Sequence, residues 1–270
     1  HFYGYRDIGI NRMSIGVQSF NHEHLKKLER IHNPQEAFDA SNLAVKIFDK
    51  VNIDLMFALP GQSLTDVKYD ITKALEVGTS HISYYHLTIE PNTLFYKFPP
   101  KLPDGEKSAE MFDLITNKLN TANFEHYETS AYAKKNTQCL HNLNYWNSEN
   151  WIGIGPGAYG RLWSSNENNK RVEIQNYKNP KTWLTKNYQN SEFENIKFFD
   201  NHEADIDTLI MGLRLQEGIN IEKLNDGSLI QGNKFKELEE ENLIILKNGK
   251  IKIHKNHMIK LNSILNYLIT

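Results

Sequence analysis

The sequence predicts an α/β fold, a parallel sheet of βαβ units followed by a small C-terminal domain of helical and winged-helix-like order. Three observations predict it. From residue 10 to about residue 130, short apolar, β-branched segments alternate with longer stretches of helical character, as βαβ units do. Cap residues stand where those helical stretches begin. Beyond residue 200, three helical segments precede two apolar runs that flank Lys247-Asn248-Gly249-Lys250, and Asn-Gly between apolar runs is the strongest short hairpin signal.

Residues 2–8 read as the tail of a helix, with Gly9 as its stop. The chain starts at His1 as though inside a domain already under way, so strands before it are expected. Residues 10–17 (INRMSIGV) form a first strand, closed by Gln18-Ser19-Phe20, and residues 21–29 a short helix. Asn33-Pro34 caps a helix expected over 35–50. Residues 51–59 (VNIDLMFAL) are a strongly apolar strand ended by Pro60-Gly61. Ser63, with Asp66 three residues on, opens a helix that runs to Val77 and stops at Gly78. Residues 81–89 (HISYYHLTI) form a third strand, 91–105 a proline-rich loop, 106–121 a helix and 125–131 a fourth strand. Ligands of such sheets sit at the carboxyl ends of the strands. Residues 132–200 read as irregular. Helices are expected over 204–216, 221–224, 231–241 and 257–268, with the hairpin at 243–253.

Composition bounds the function. With 39% hydrophobic and 24% charged residues the chain falls in the globular range. Its net charge of −2 offers no overall attraction for a polyanion. The third helix of the C-terminal unit carries Glu237, Glu239, Glu240 and Glu241, which oppose phosphate, so no nucleic-acid partner is expected. No apolar run reaches the roughly 18–20 residues of a membrane span, and no secretory signal is read. Cys139 is the single cysteine, so an internal disulfide is excluded and a reducing, cytoplasmic setting is expected.

Several residues could carry chemistry. Gln18 closes the first strand and can both donate and accept; solvation of a strand end is the plain alternative. Arg30 suits a carboxylate through its planar fork, or is a surface arginine. Asp54 lies in a nearly continuous apolar strand, where a carboxylate is costly unless paired or ligand-bound; two ribose hydroxyls or a salt bridge would each satisfy it. The segment Cys139-Leu140-His141-Asn142-Leu143-Asn144-Tyr145-Trp146 joins an imidazole to two large aromatics, which suits haem iron and its apolar wall, or is a loop with an aromatic anchor. Gly155-Pro156-Gly157-Ala158-Tyr159-Gly160 matches GxGxxG, but no helix is expected to follow and no acidic residue lies at the right distance. A dinucleotide site is therefore rejected.

INRMSIGVQSF, LERIHN, NIDLMFALPGQ, LTIEPNTLF, HNLNYW, GIGPGAYG and MGLRLQEGI together resemble the HemW-type radical-SAM haem chaperones, relatives of the oxygen-independent coproporphyrinogen III oxidases. The resemblance runs through essentially the whole chain, in family order. It implies a partial radical-SAM (β/α) barrel over residues 1–165, an irregular linker over 166–199 and the winged-helix-like domain over 200–270. It implies contacts to S-adenosylmethionine from Gln18, Arg30 and Asp54, with Arg30 on the methionine carboxylate and Asp54 on the ribose. It implies a haem site at His141, Tyr145 and Trp146, with His141 on the iron. The 4Fe–4S cluster of the family needs three cysteines in CxxxCxxC, which this chain lacks; those ligands are expected in a segment before His1. The function implied is haem binding and delivery to acceptor proteins. Radical decarboxylation of coproporphyrinogen propionates and a non-catalytic interaction fragment are the alternatives. Whether the chain is an enzyme, touches a membrane peripherally or forms a homodimer stays open.

Overall fold

The computed structural model describes residues 1–164, 170–190 and 192–270. Part of the polar run read within 132–200 (residues 165–169), and Ser191, lie outside the described residues. The chain divides into two compact units, His1–Gln138 and Cys139–Thr270.

The first unit runs α1 (Phe2–Asp7), β1 (Arg12–Gln18), α2 (His22–Lys27), α3 (Pro34–Ile47), β2 (Lys50–Phe57), α4 (Leu64–Val77), β3 (His81–His86), α5 (Leu94–Lys97), α6 (Gly105–Thr121), β4 (Glu125–Glu128) and β5 (Ala131–Ala133). Its sheet has the order β1-β2-β3-β5-β4 and is not closed. β1, β2 and β3 are parallel, as expected of βαβ units. The helices begin where their caps predict. Asn33 and Ser63 each accept from the backbone N–H three residues on, and Glu36 and Asp66 reach back to complete capping boxes. Gly78 closes α4 in the left-handed region at φ 76°.

Three expectations need correction here. The helix expected over 35–50 ends at Ile47, because β2 already starts at Lys50. The proline-rich loop holds the one-turn α5, capped by Thr93. The fourth strand, expected over 125–131 in the βαβ series, is two short strands. β5 lies antiparallel to both β3 and β4, with a bulge between His126 and Glu128. A hairpin needs only a two-residue turn, so no crossover helix separates these strands.

The two faces of this sheet differ in kind. Val17, Ile53, Leu55, Ile82 and Tyr84 project into one core with Val67, Ile71 and Ala74 of α4 and Met111, Ile115 and Leu119 of α6. α3 covers the same face through Ala44 and Ile47, which pack beside Val51. Successive residues alternate across a strand, so Ser14, Gly16, Asn52, Asp54, His81 and Ser83 fall on the opposite face. The apolar run of β2 therefore buries one side and arms the other.

The second unit runs α7 (Leu140–Trp146), β6 (Tyr159–Ser164), β7 (Lys170–Gln175), α8 (Pro180–Asn190), β8 (Asn195–Phe198), α9 (Asn201–Gly212), β9 (Ile219–Asn220), α10 (Ser228–Gln231), α11 (Asn233–Glu240), β10 (Ile244–Lys247), β11 (Lys250–Ile253) and α12 (Leu261–Ile269). The stretch read as irregular holds an antiparallel sheet β6-β7-β8. Its interior salt bridges, in which Asp207 takes Arg161 and Arg171, hide polar residues in strands that looked like loop. The hairpin stands as expected: Lys247 pairs with Lys250, and Asn248 and Gly249 take φ 54° and 72°. The helix expected over 204–216 starts at Asn201, where Asp200 forms a capping box, and ends at Gly212. Among the described residues no helix is long and apolar enough to cross a membrane.

Candidate functional site

In the first unit the site forms where β1 and β2 end. Val17 is an extra residue in β1: Gly16 pairs with Asp54, and Gln18 with Leu55. This bulge, with Gln18 in the left-handed region at φ 67°, turns the Gln18 side chain back over Gly16. Ala58, just past β2, is also left-handed at φ 57°. Non-glycine residues held there mark strand ends whose surroundings over-determine them. Asp70 bonds Phe20 N–H at 2.7 Å, and the His32 imidazole reaches Val17 O at 3.1 Å.

Gly16 is the hub. A Cβ there would lie 2.9 Å from Gln18 Nε2 and 3.4 Å from Arg30 Nη2. The amide of Gln18 and the guanidinium of Arg30 thus converge on one cradle that a side chain would fill. Asp54 is the cross-strand partner of that glycine. The structure therefore brings together the three residues singled out in the sequence. The salt-bridge alternative for Asp54 gives way to hydrogen bonds: its oxygens accept from Ser14 Oγ at 2.9 Å and Asn52 Nδ2 at 2.8 Å. A carboxylate offers about four acceptor positions, so two remain for a ligand. A fork-shaped cation, an amide and a half-buried carboxylate around a bare backbone fit a ligand that carries an α-carboxylate and a vicinal diol.

Sequence reasoning missed Ser14, Asn52, Ser83 and His81 behind Asp54. Asn52 Oδ1 lies 2.6 Å from His81 Nδ1, and His81 Nε2 lies 2.9 Å from the Tyr127 hydroxyl. Burial, helped by the charge of Arg12, pushes the His81 pKa down to about 3. Strand alternation from Asp54 was the signal that could have found this row.

In the second unit the candidate residues stand on α7. His141 is exposed, and its Nε2 lies 3.0 Å from the Tyr145 hydroxyl one turn on. The Tyr145 ring meets Trp151 edge-on at 4.8 Å, and Asn144 Nδ2 donates to Asn150 O at 3.1 Å, so α7 is backed by the following loop. Trp146 points elsewhere: the Arg214 guanidinium lies 5.3 Å over its ring, and its buried Nε1 has no hydrogen-bond partner among the described residues. Leu140, Ile152 and Ile154 are 73%, 71% and 89% exposed around this segment. Large aliphatics so bare on a helix and its backing loop suit an apolar ligand. An exposed imidazole on the same helix fits haem iron.

The GxGxxG segment opens no helix, as expected; it is a loop that leads into β6, where no strand was expected. Asn176 Nδ2 donates to Gly153 O and Gly155 O at 3.0 and 2.9 Å. A Cβ on Gly153 would collide with the Tyr159 carbonyl, so this glycine serves chain packing. A 4Fe–4S cluster does not fit the residues present. Cys139 is the single cysteine, and the described residues hold no group of three or more His, Cys, Asp or Glu that could bind a metal ion.

No family model matches the chain. In fold it is similar, over its whole length, to 66% of coproporphyrinogen III oxidase (HemN) from Escherichia coli, a radical-SAM enzyme, with a TM-score of 0.77 at 16% identity. The α/β architecture with its parallel strands is thus the fold of that enzyme. By sequence it is 50% identical over 162 residues to the heme chaperone HemW of Escherichia coli strain K12, covering 60% of this chain and 43% of that protein. It is 32% identical over 292 residues to the mitochondrial radical S-adenosyl methionine domain-containing protein 1 of Dictyostelium discoideum, covering 96% of this chain and 66% of that protein. The chain belongs to the HemW-type radical-SAM family. It spans about half the length of the bacterial relatives it matches, 43% and 51% of the first two.

Proposed function

We propose that this protein binds haem and hands it to haem-acceptor proteins in the cytoplasm, with S-adenosylmethionine as a second ligand. In this reading His141 takes the iron, while Tyr145 and Trp146 belong to the haem segment. Gln18, Arg30 and Asp54 take S-adenosylmethionine, Arg30 through its carboxylate and Asp54 through the ribose diol. A 4Fe–4S cluster would draw its cysteines from outside these 270 residues. The observation that carries the haem reading is the exposed His141 on α7, with the bare aliphatics Leu140 on the same helix and Ile152 and Ile154 on the loop that backs it. A porphyrin covering that surface would remove apolar area from water at roughly 25 cal/mol per Å². A haemin titration followed in the Soret band tests the reading. A stoichiometric shift that His141→Ala removes is expected. Absence of specific binding by the folded wild-type protein overturns it.

A further inference from the structure

We infer that Asn52 and His81 are positioning residues: through a one-way hydrogen-bond chain they hold the Asp54 carboxylate toward the vicinal hydroxyls of its ligand. The inference rests on the reading of Asp54 proposed above.

The argument starts at Asp54, which when ionised can only accept. Ser14 Oγ therefore donates to Oδ2 at 2.9 Å, and Asn52 Nδ2 donates to Oδ1 at 2.8 Å. With its hydrogen committed, Ser14 Oγ accepts the second Asn52 N–H at 2.7 Å. These contacts fix the amide, since reversing it would set the Asn52 carbonyl against the carboxylate. Asn52 Oδ1 then faces His81 Nδ1 at 2.6 Å and Ser83 Oγ at 3.1 Å, and both must donate to it. His81 consequently carries its proton on Nδ1. A neutral ring leaves Nε2 as an acceptor for the Tyr127 hydroxyl at 2.9 Å. Burial keeps that ring neutral, with its pKa pushed down to about 3.

Every donor from Tyr127 to Asn52 thus points one way, and the chain ends on Asp54. The register explains the alignment. Ser14, Asn52 and His81 occupy one cross-strand row, and Gly16, Asp54 and Ser83 the next. Asn52, His81 and Ser83 are 3%, 1% and 3% exposed, so water does not compete for these bonds. An apolar row would hold three parallel strands without desolvating three polar side chains. What this row adds is a fixed direction for the carboxylate beside Gly16.

The test compares S-adenosylmethionine with its 2′,3′-dideoxy analogue by equilibrium titration of the reconstituted whole gene product. Asn52→Ala, His81→Phe, His81→Asn and Asp54→Ala are each checked for a cooperative melt. Asn52→Ala is expected to weaken S-adenosylmethionine about tenfold and leave the analogue within about twofold, the scale of one charge-assisted hydrogen bond. His81→Phe acts in the same sense, and His81→Asn, which keeps a donor near the Nδ1 position, restores binding. If either position gives an unfolded variant, the other carries the same comparison. If Asp54→Ala separates the two ligands but the Asn52 and His81 variants weaken both equally, or neither, the inference is overturned and the Asp54 reading stands. If Asp54→Ala fails to separate them, the Asp54 reading itself falls, and the inference with it.

Discussion

Asp70, buried in α4, accepts a 2.7 Å hydrogen bond from the backbone N–H of Phe20 and so holds the turn behind Gln18. The Ser19 hydroxyl lies 2.9 and 3.1 Å from its two oxygens. Burial pushes the Asp70 pKa from 3.8 up to about 7, against the pull of these bonds. A raised folded pKa contributes stability that is complete below the unfolded value and is lost as pH rises through about 7. His81 and His126 act oppositely. Their folded values are depressed to about 3 and about 4, so their contribution is present above 6.5 and fades as pH falls toward those values. The two effects oppose each other through the mildly acidic range. Asp70→Asn should therefore lose stability on acidification more steeply than the wild type, and gain relative to it above neutrality. Denaturant melts from about pH 5 to about pH 8 check this, and a difference that does not change with pH contradicts it.

Gly16→Ala should spare the fold and damage the site. The nearest atoms to a new Cβ are the ends of two flexible side chains, Gln18 Nε2 at 2.9 Å and Arg30 Nη2 at 3.4 Å. The expected cost in stability is within about 1 kcal/mol. Affinity for S-adenosylmethionine should fall about tenfold as both groups are displaced. Titration beside a thermal melt separates the two effects. A large loss of stability with unchanged affinity would contradict the cradle.

Tyr145→Phe probes which nitrogen of His141 meets the iron. Nε2 already faces the Tyr145 hydroxyl at 3.0 Å, so we expect iron on Nδ1, with Nε2–H donating to the tyrosine. Outer hydrogen bonds of this kind are worth about 10–100-fold in metal affinity. Tyr145→Phe should weaken haem within that range without abolishing it, whereas His141→Ala abolishes it. Tighter binding by Tyr145→Phe would place the iron on Nε2 instead.

Asp207→Ala should destabilise the second unit. Arg171 is 1% exposed and its Nε bonds Asp207 Oδ2 at 3.2 Å, while Arg161 reaches the other oxygen at 3.4 Å. Removing the carboxylate strands a buried guanidinium, at a cost of roughly 3–5 kcal/mol. Chemical denaturation measures it, and a change within about 0.5 kcal/mol would mean that Glu173 beside Arg161 and the Glu149 carbonyl beside Arg171 compensate the two cations.

Local chemistry made much of the first unit legible in the sequence. Asn33-Pro34, Ser63 with Asp66, and Gly78 set helix ends because caps act over three or four residues. Asp54 stood out because an isolated carboxylate conflicts with its apolar neighbours. The row behind it did not, because Asn52 and His81 become partners only when β2 and β3 fall into register. The β6-β7-β8 sheet was hidden for a similar reason. Arg171 and Glu173 read as loop until Asp207 and Arg161 pair with them. The exposed flanks of His141 likewise depend on burial, which the motif alone does not specify.

The most direct measurement for the haem account is pulsed EPR of the low-spin ferric haem complex, prepared with ¹⁵N-histidine, beside the same spectrum of His141→Ala. The account predicts a coordinated-histidine ¹⁵N coupling in the wild type that the variant lacks. A coupling that persists unchanged in His141→Ala would assign the iron to another residue and contradict the account.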